Sequence, residues 1–235
     1  MTNTYIGNEL ELFAHAQNWK RYFGRVIAPL GPRVLEVGAG LGATTAALCD
    51  GSQDEWLCLE PDRTLLAEVE ARIQRGALPA CCRPRAGTVR DLTPEERFDS
   101  ILYIDVLEHI EDDRAEVARA AHHLPPGGRL VVLSPAYPFL YSPFDQAIGH
   151  YRRYTRASLS ALTPPGCRLT LLRYLDSVGL FTSLANRLFL RQRLPTQAQI
   201  LFWDRRLVPF SRLLDPLIGY GFGRSVVAVW QREPT

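Results

Sequence analysis

Lysine is almost absent from this chain. Of the 27 basic residues Lys20 alone is a lysine, and the arginines that make up the rest are spread along the sequence without forming a block. We read that distribution as a GC-rich coding background. A nucleic-acid footprint would gather the basic residues and interleave them with exposed aromatics, and a formal net charge of +2 is too small to imply acidic partners. Cysteine is scarce and irregular. Cys49, Cys58, Cys81, Cys82 and Cys167 are odd in number, form no CxxC pair and stand near no histidine at ligand spacing, so no metal, structural zinc included, and no disulfide framework is expected. No uncharged apolar run approaches the roughly 20 residues of a membrane span. The first twelve residues have no basic head followed by an apolar stretch, so a signal peptide is not expected and a cytoplasmic enzyme is.

What is present is an ordinary globular composition, 46% hydrophobic and 22% charged, with alternating patterns along it. From Asn8, the residues Leu10, Phe13, Trp19, Tyr22, Phe23, Val26 and Ile27 fall at the spacing of one or two amphipathic helices, which Pro29, Gly31 and Pro32 stop. Short apolar runs at 33–38, 56–60, 98–105 and 128–134 then alternate with helical stretches at 42–50, 62–75 and 110–124. Strands alternating with helices predict an α/β fold, a parallel sheet wrapped on both faces. Near-continuous apolar strands such as ILYI and LVVL suit a sheet buried on both sides. After Ser134 the rhythm breaks into a proline- and aromatic-rich stretch, a helix N-capped by Thr155, a strand at 168–175, an apolar arginine-rich segment at 180–223, and a last strand in RSVVAVWQR. No repeat or sharp boundary divides residues 1–235, so one domain is expected: a helical cap at 1–31, a cofactor-binding core at 32–134, and a lid, helical insertion and last strands at 135–235.

The chemistry concentrates in VLEVGAGLGATT, where Glu36, Gly38, Gly40 and Gly42 end the first strand and open a helix. Glycines there let the backbone turn sharply and let a ligand lie against main-chain atoms. Gly38, Gly40 and Ala43 also satisfy the GxGxxA dinucleotide pattern, so the glycines alone fit a nicotinamide enzyme equally well. Glu36 separates the two. A pyrophosphate gains from helix-terminal N–H groups and is repelled by a nearby carboxylate, whereas S-adenosylmethionine carries an ammonium and a sulfonium and no phosphate. Glu60, about twenty residues further on, is placed to accept the hydroxyls of a nucleoside ribose.

With these residues in place the chain resembles class I S-adenosylmethionine-dependent methyltransferases. ExGxGxG at Glu36–Gly42 and the acid Glu60 look like that superfamily's first two motifs, AGTVRDL (86–92) like its adenine loop, FDSILYIDVLEHIED (98–112) like its fourth strand, and PPGGRLVVLSP (125–135) like the strand that follows. The resemblance implies a Rossmann-like, doubly wound, mostly parallel seven-stranded sheet with an antiparallel last strand, an N-terminal helical cap and a lid with a C-terminal helical insertion. It further implies that Gly38, Gly40 and Gly42 flank the methionine part, Glu60 holds the ribose, Thr88 and Val89 bracket the adenine, and Asp105 and Val106 face the sulfonium and amino group. The usual adenine loop has an acid directly after its glycine, where this chain has Thr88. Trp19 or Tyr22 of the N-terminal segment is expected to close over the cofactor.

Two histidines invite a catalytic reading. His109, at a helix start, is read as structural. His150, in SPFDQAIGHYRRYT, lies where such folds build a substrate lid and is either a general base for a hydroxyl acceptor or a tether of that lid. Tyr137 and Tyr141 are expected to line an apolar acceptor pocket, and Arg152 and Arg153 to pair with a substrate carboxylate or phosphate. GHYRRYT and the chain's ending resemble a bacterial subgroup of natural-product or glycan tailoring methyltransferases, which implies a small-molecule acceptor, a lipid-linked one included. A nicotinamide oxidoreductase and a non-catalytic cofactor-binding module are the rival readings. Segment 180–223, basic and apolar, either lies on a membrane surface or caps the core with a solvated arginine face.

Overall fold

The computed structural model describes residues 9–185 and 195–234. Seven strands form one sheet: β1 (Arg33–Val37), β2 (Glu55–Glu60), β3 (Cys82–Ala86), β4 (Ser100–Ile104), β5 (Arg129–Pro135), β6 (Cys167–Leu175) and β7 (Ser225–Arg232), in the order β3-β2-β1-β4-β5-β7-β6. All run parallel except β7, which is antiparallel to both β5 and β6. The strand order reverses beside β1, where β2 lies on one side and β4 on the other. Doubly wound sheets open a ligand crevice at the carboxyl ends of such strands, and the Gly38–Gly42 turn and Asp105 stand at that edge.

The strands coincide with the apolar runs except for β3. CRPRA carries two arginines and Pro84 and has no apolar pattern, because it is an edge strand, partly solvated, where the missing proline N–H costs nothing. Helix α3 (Thr45–Leu48) is shorter than the periodicity over 42–50 suggests, since Gly42, at φ +71°, still belongs to the turn. Helix α4 (Arg63–Gln74) starts at Asp62, whose carboxylate accepts the Thr64 N–H at 2.8 Å. Helix α5 (Asp113–His122) covers the opposite face. The lid segment contains α6 (Pro143–Ala147) and α7 (Arg156–Ser160), the latter capped by Thr155, which accepts the Ser158 N–H at 3.1 Å.

Side-chain alternation divides the core in two. Leu35, Leu57, Ile101, Tyr103, Leu130 and Val132 point towards α5 and α7. Val34, Trp56, Leu102, Val131 and Val229 point to the other face, which receives the N-terminal helices α1 (Glu9–Ala14) and α2 (Gln17–Ile27) and an insertion between β6 and β7. Trp19, Tyr22, Phe23 and Ile27 are buried in that second cluster, so α2 is part of the core as well as a cap.

The insertion comprises α8 (Ser177–Ala185), α9 (Gln197–Phe202), a π-helical turn over 203–207 and α10 (Val208–Leu217). Arg187, Arg191 and Arg193 of the arginine-rich segment lie outside the described residues. Buried aspartates tie the insertion to α2. Helix α2 has no side-chain cap of its own. Asp204 supplies one from far along the chain, accepting the N–H groups of Asn18 and Trp19 at 3.2 and 2.9 Å. Asp215 accepts the Tyr22 hydroxyl at 2.6 Å and the N–H groups of Asp176 and Ser177 at the start of α8. Asp176 takes Trp203 Nε1 and Ser211 Oγ at 2.8 and 2.7 Å. Among the described residues no helix is long and apolar enough to cross a membrane.

Candidate functional site

A cavity of about 730 Å³ opens at the carboxyl edge of β1, β4 and β5. Its floor is the turn Gly38–Leu41 together with Asp105, Glu108 and His109 after β4; Trp19, Lys20 and Phe23 of α2 form one wall. Leu140, Phe144, Ile148, His150 and Arg153 of the lid form another, and α8 and α9 close the third side.

The turn is shaped for a ligand. Gly38, Gly40 and Gly42 all have positive φ, a region that side chains disfavour. At Gly38 an added Cβ would meet Val106 at 2.7 Å, so Val106 backs the turn. At Gly40 an added Cβ would find only Leu10, at 3.6 Å, and would stand in the cavity itself. Gly42 serves packing: its Cβ would press on Val69 and Leu78, and it does not face the cavity.

Glu36 lies beneath the turn, on the strand face opposite Leu35 and Val37. Its Oε2 accepts Thr45 Oγ1 at 2.6 Å and Trp56 Nε1 at 2.8 Å, and its side chain is not part of the cavity wall. Its charge is therefore not against the ligand, where the motif leads one to expect it, and the acids that face the cavity are Asp105 and Glu108. Burial raises the Glu36 carboxyl from its ordinary 4.5 to about 7, although Thr45 and Trp56 oppose the shift. Between those values the folded protein holds a proton that the unfolded chain has released, so stability falls as pH rises through that window, by roughly 3 kcal/mol in all. Glu36→Gln removes this slope. Urea unfolding at pH 5 and pH 8 should show the variant gaining roughly 2 to 3 kcal/mol on the wild type at the higher pH; an unchanged difference would refute the assignment.

Glu60 also bonds inward, its two oxygens accepting the Gly40 N–H at 2.8 Å and the Asp62 N–H at 3.0 Å, so it fixes the middle glycine of the turn. In the adenine-type loop Val89 is buried in the core, and Thr88 caps a short 3₁₀ turn by accepting the Arg90 N–H. The acid missing at 88 stands at 91: Asp91 accepts the Thr88 N–H at 2.7 Å, and bonds from Thr88 hold its carboxyl below the ordinary range.

Asp105, at φ +54°, is open to the cavity yet ringed by protein. Desolvation raises its carboxyl, with Arg224, His150 and Lys20 pulling the other way. Glu108 is fully buried: Oε2 accepts Ser134 Oγ at 3.0 Å, while Oε1 has no hydrogen-bond partner and lies 3.9 Å from His150 Nε2, too far for a bond. Burial, then the charge of Asp105, holds Glu108 well above the usual carboxylate range. Lys20 donates to the Phe13 carbonyl at 2.5 Å and is lowered by burial to about 8.

On the lid side Asp145 organises the chemistry. It binds His150 Nδ1 at 2.9 Å and clamps Arg153 at 2.7 and 2.9 Å. Burial alone would raise its carboxyl; the bonds from His150 and Arg153 outweigh it and hold the group ionised. In the neutral form of the ring, with Nδ1 donating to Asp145, it is Nε2 that carries the lone pair. His109 packs edge-on against His150 at 4.5 Å and is pushed by burial to about 4, so it is neutral.

Three expected acceptor contacts lie elsewhere. Tyr137 stacks on Tyr174 at 4.8 Å, the Tyr141 hydroxyl donates to the His150 carbonyl at 2.6 Å, and Arg152 pairs with Asp113 at 2.6 Å. Tyr137 is held by β6, Arg152 by α5 and Tyr141 within the lid itself, and none of the three lines the cavity. Tyr22, likewise, is turned to Asp215. Conversely Lys20, Glu108 and Arg224 line the cavity without having been singled out; the lone lysine of an arginine-rich chain was the one available signal.

Two groups of side chains bring potential cation ligands close together. Glu108, His109 and His150 present ligand atoms within 4.8 Å of one another, and so do Cys49, Cys81 and Cys82. The cysteines are brought together by the start of β3 and the end of α3, a proximity that their spacing along the chain conceals.

Residues 35–130 match the family model of a methyltransferase domain. The ubiquinone biosynthesis O-methyltransferase of Xylella fastidiosa (strain M23) is 35% identical over 126 residues, 50% of this chain and 48% of that protein. The demethylmenaquinone methyltransferase of Tropheryma whipplei (strain Twist) is 28% identical over 161 residues, 64% of this chain and 59% of that protein. The chain spans about half or less of the length of the ubiquinone-pathway relatives that it matches. In fold it is similar to the N-methyltransferase NodS from Bradyrhizobium japonicum WM9, solved with S-adenosyl-L-homocysteine, at a TM-score of 0.58 and 14% identity over 95% of this chain and 88% of that one. Residues 35–130 thus carry a methyltransferase domain, and in sheet order and in the glycine turn at its switch point the chain is similar to the class I S-adenosylmethionine-dependent methyltransferase superfamily.

Proposed function

We propose that the whole chain is one methyltransferase domain that moves a methyl group from S-adenosylmethionine to a small apolar acceptor bearing a hydroxyl. The observation that carries this reading is continuity: a single cavity runs from the glycine turn past Asp105 to the Asp145–His150 pair. The glycine cradle fits the cofactor, because a side chain at Gly40 would fill it. Asp105 suits its ammonium and sulfonium and Lys20 its carboxylate, with Trp19 and Gly38 against its methionine part. Glu36, Gly42, Glu60, Thr88, Val89 and Val106 support this end by fixing the turn and the adenine loop. Asp105 on the cavity floor favours a cationic cofactor over a pyrophosphate, which argues against the nicotinamide reading.

The bound cofactor supplies an electrophilic methyl. The protein's contribution is to hold the acceptor in line, exclude water and take its proton. His150 is placed for the last task, since Asp145 orients its ring and steadies the imidazolium formed when it accepts a proton. Leu140, Phe144 and Ile148 offer the acceptor an apolar wall. An apolar ring is also in keeping with relatives named for ubiquinone and menaquinone chemistry.

Calorimetric titration tests the cofactor: saturable binding of S-adenosylhomocysteine and none of NADH is expected, and the reverse overturns the reading. Turnover of labelled S-adenosylmethionine then separates an enzyme from a binding module. Because Lys20 loses its charge near pH 8, affinity for S-adenosylhomocysteine should fall as pH rises through that value. In Lys20→Met this portion of the pH dependence should vanish, and parallel profiles would remove Lys20 from the site.

A further inference from the structure

The insertion exposes a surface that the cavity does not require. On α10, Phe210, Leu213 and Leu217 are 64, 65 and 83% exposed, and with Leu214 they fall at the i, i+3, i+4, i+7 spacing of one helical stripe. The opposite side of the same helix, Val208, Ser211 and Asp215, is buried. Between the two faces, Pro209 and Arg212 line a small cleft with Asn18, Arg21 and Arg25 of α2. A row of apolar side chains thus runs beside a cleft flanked by three arginines.

Charge distinguishes the possible occupants. The exposed charged side chains of α2, α9, the π turn and α10 are Arg21, Arg25, Arg205, Arg206 and Arg212, whereas Asp204 and Asp215 are buried and bonded inward. A second copy of the chain meeting this face across a two-fold axis would bring its own arginines against these. An anionic surface that also accepts apolar side chains is complementary to it.

We propose that this face docks on an anionic membrane leaflet, with the α10 stripe entering the headgroup–acyl boundary and a lipid phosphate held in the arginine cleft. The helical insertion also walls the cavity: Phe202 of α9 is both exposed and part of the cavity lining. Docking therefore sets the cavity beside the bilayer, and the acceptor class becomes a lipid-soluble hydroxylated ring. That extension to the acceptor rests on the methyltransferase reading; the docking itself does not.

Vesicle flotation of the full chain tests the surface. Binding to phosphatidylcholine vesicles containing phosphatidylglycerol is expected, weakening with salt, and binding to phosphatidylcholine alone should be at least about tenfold weaker. Leu213→Gln/Leu217→Gln should weaken vesicle binding about tenfold or more, and Arg21→Gln/Arg25→Gln/Arg212→Gln roughly a hundredfold. None of these five residues lines the cavity, so both variants should keep the wild-type melting temperature and S-adenosylhomocysteine affinity, which certifies their folding. Failure of the wild type to bind anionic vesicles, or undiminished binding by the two variants, overturns the proposal. A concentration-dependent dimer that Leu213→Gln/Leu217→Gln dissociates would assign the stripe to a second copy instead. Vesicle binding by a chain that binds no S-adenosylhomocysteine would leave the docking standing and remove the methyltransferase reading.

Discussion

His150→Ala is expected to lower turnover on a hydroxyl acceptor by about a hundredfold to ten-thousandfold, the usual contribution of general-base assistance. The affinity for S-adenosylhomocysteine should stay within about twofold, because the glycine turn, Asp105 and Lys20 are untouched. His150 is held by Asp145 at 2.9 Å within the lid, and Asp145 stays ionised because Arg153 and His150 both donate to it. His109→Ala, made beside it, should cost much less, since His109 is a neutral packing partner with no carboxylate on its ring. Steady-state rates with the true acceptor decide the matter. Turnover within about threefold of wild type in His150→Ala would make the Asp145–His150–Arg153 group a tether of the lid and point to an acceptor that is already deprotonated.

Asp215→Ala is expected to destabilise the protein by about 3 to 5 kcal/mol. The carboxylate is wholly buried and accepts from Tyr22, Asp176 and Ser177, so its loss strands three donors at a cost of about 1 to 3 kcal/mol each, not fully additive. That is a large share of the stability of an ordinary domain. Asp215→Asn keeps one acceptor oxygen and should lose less. Chemical denaturation measures both, and a loss below about 1 kcal/mol in Asp215→Ala would show that water replaces the carboxylate and that the contact between α2 and the insertion is loose.

The cofactor half of the chain was legible because its signals are local. A strand, a glycine turn and a helix in sequence specify their own geometry, and the apolar runs at 33–38, 98–105 and 128–134 became β1, β4 and β5 nearly residue for residue. Edge strand β3 was missed because a half-solvated strand has no apolar pattern to read. The direction of a side chain was the harder matter. Glu36 and Leu35 are neighbours in sequence on opposite faces of the sheet, and what the Glu36 carboxylate meets depends on Trp56, twenty residues on. The same holds for Tyr141 and Arg152, which have the right chemistry for an acceptor pocket and are engaged by a backbone carbonyl and by Asp113. Lys20 entered the site through the packing of α2 on the sheet, and helix periodicity alone does not say which residue of that face ends beside a cavity. The cysteine group and the aspartate ties between α2 and the insertion are contacts between distant segments, and no spacing rule reaches them.

The place of β7 between β5 and β6 bears on how the chain is made. During synthesis from the amino end, β1 to β5 emerge with their connecting helices and can assemble as a parallel sheet, but the outer edge of β5 then carries unpaired backbone groups. Strand β6 cannot cover that edge, because in the finished sheet it pairs only with β7. The partner for both is residues 225–232, which leave the ribosome only after β5, β6 and the whole insertion. Until then the nascent chain presents an open edge flanked by Val131 and Leu133, the kind of surface that chaperones shield and that pairs with a neighbouring copy when left bare. Helix α2 waits as well, since the carboxylate that caps it belongs to Asp204.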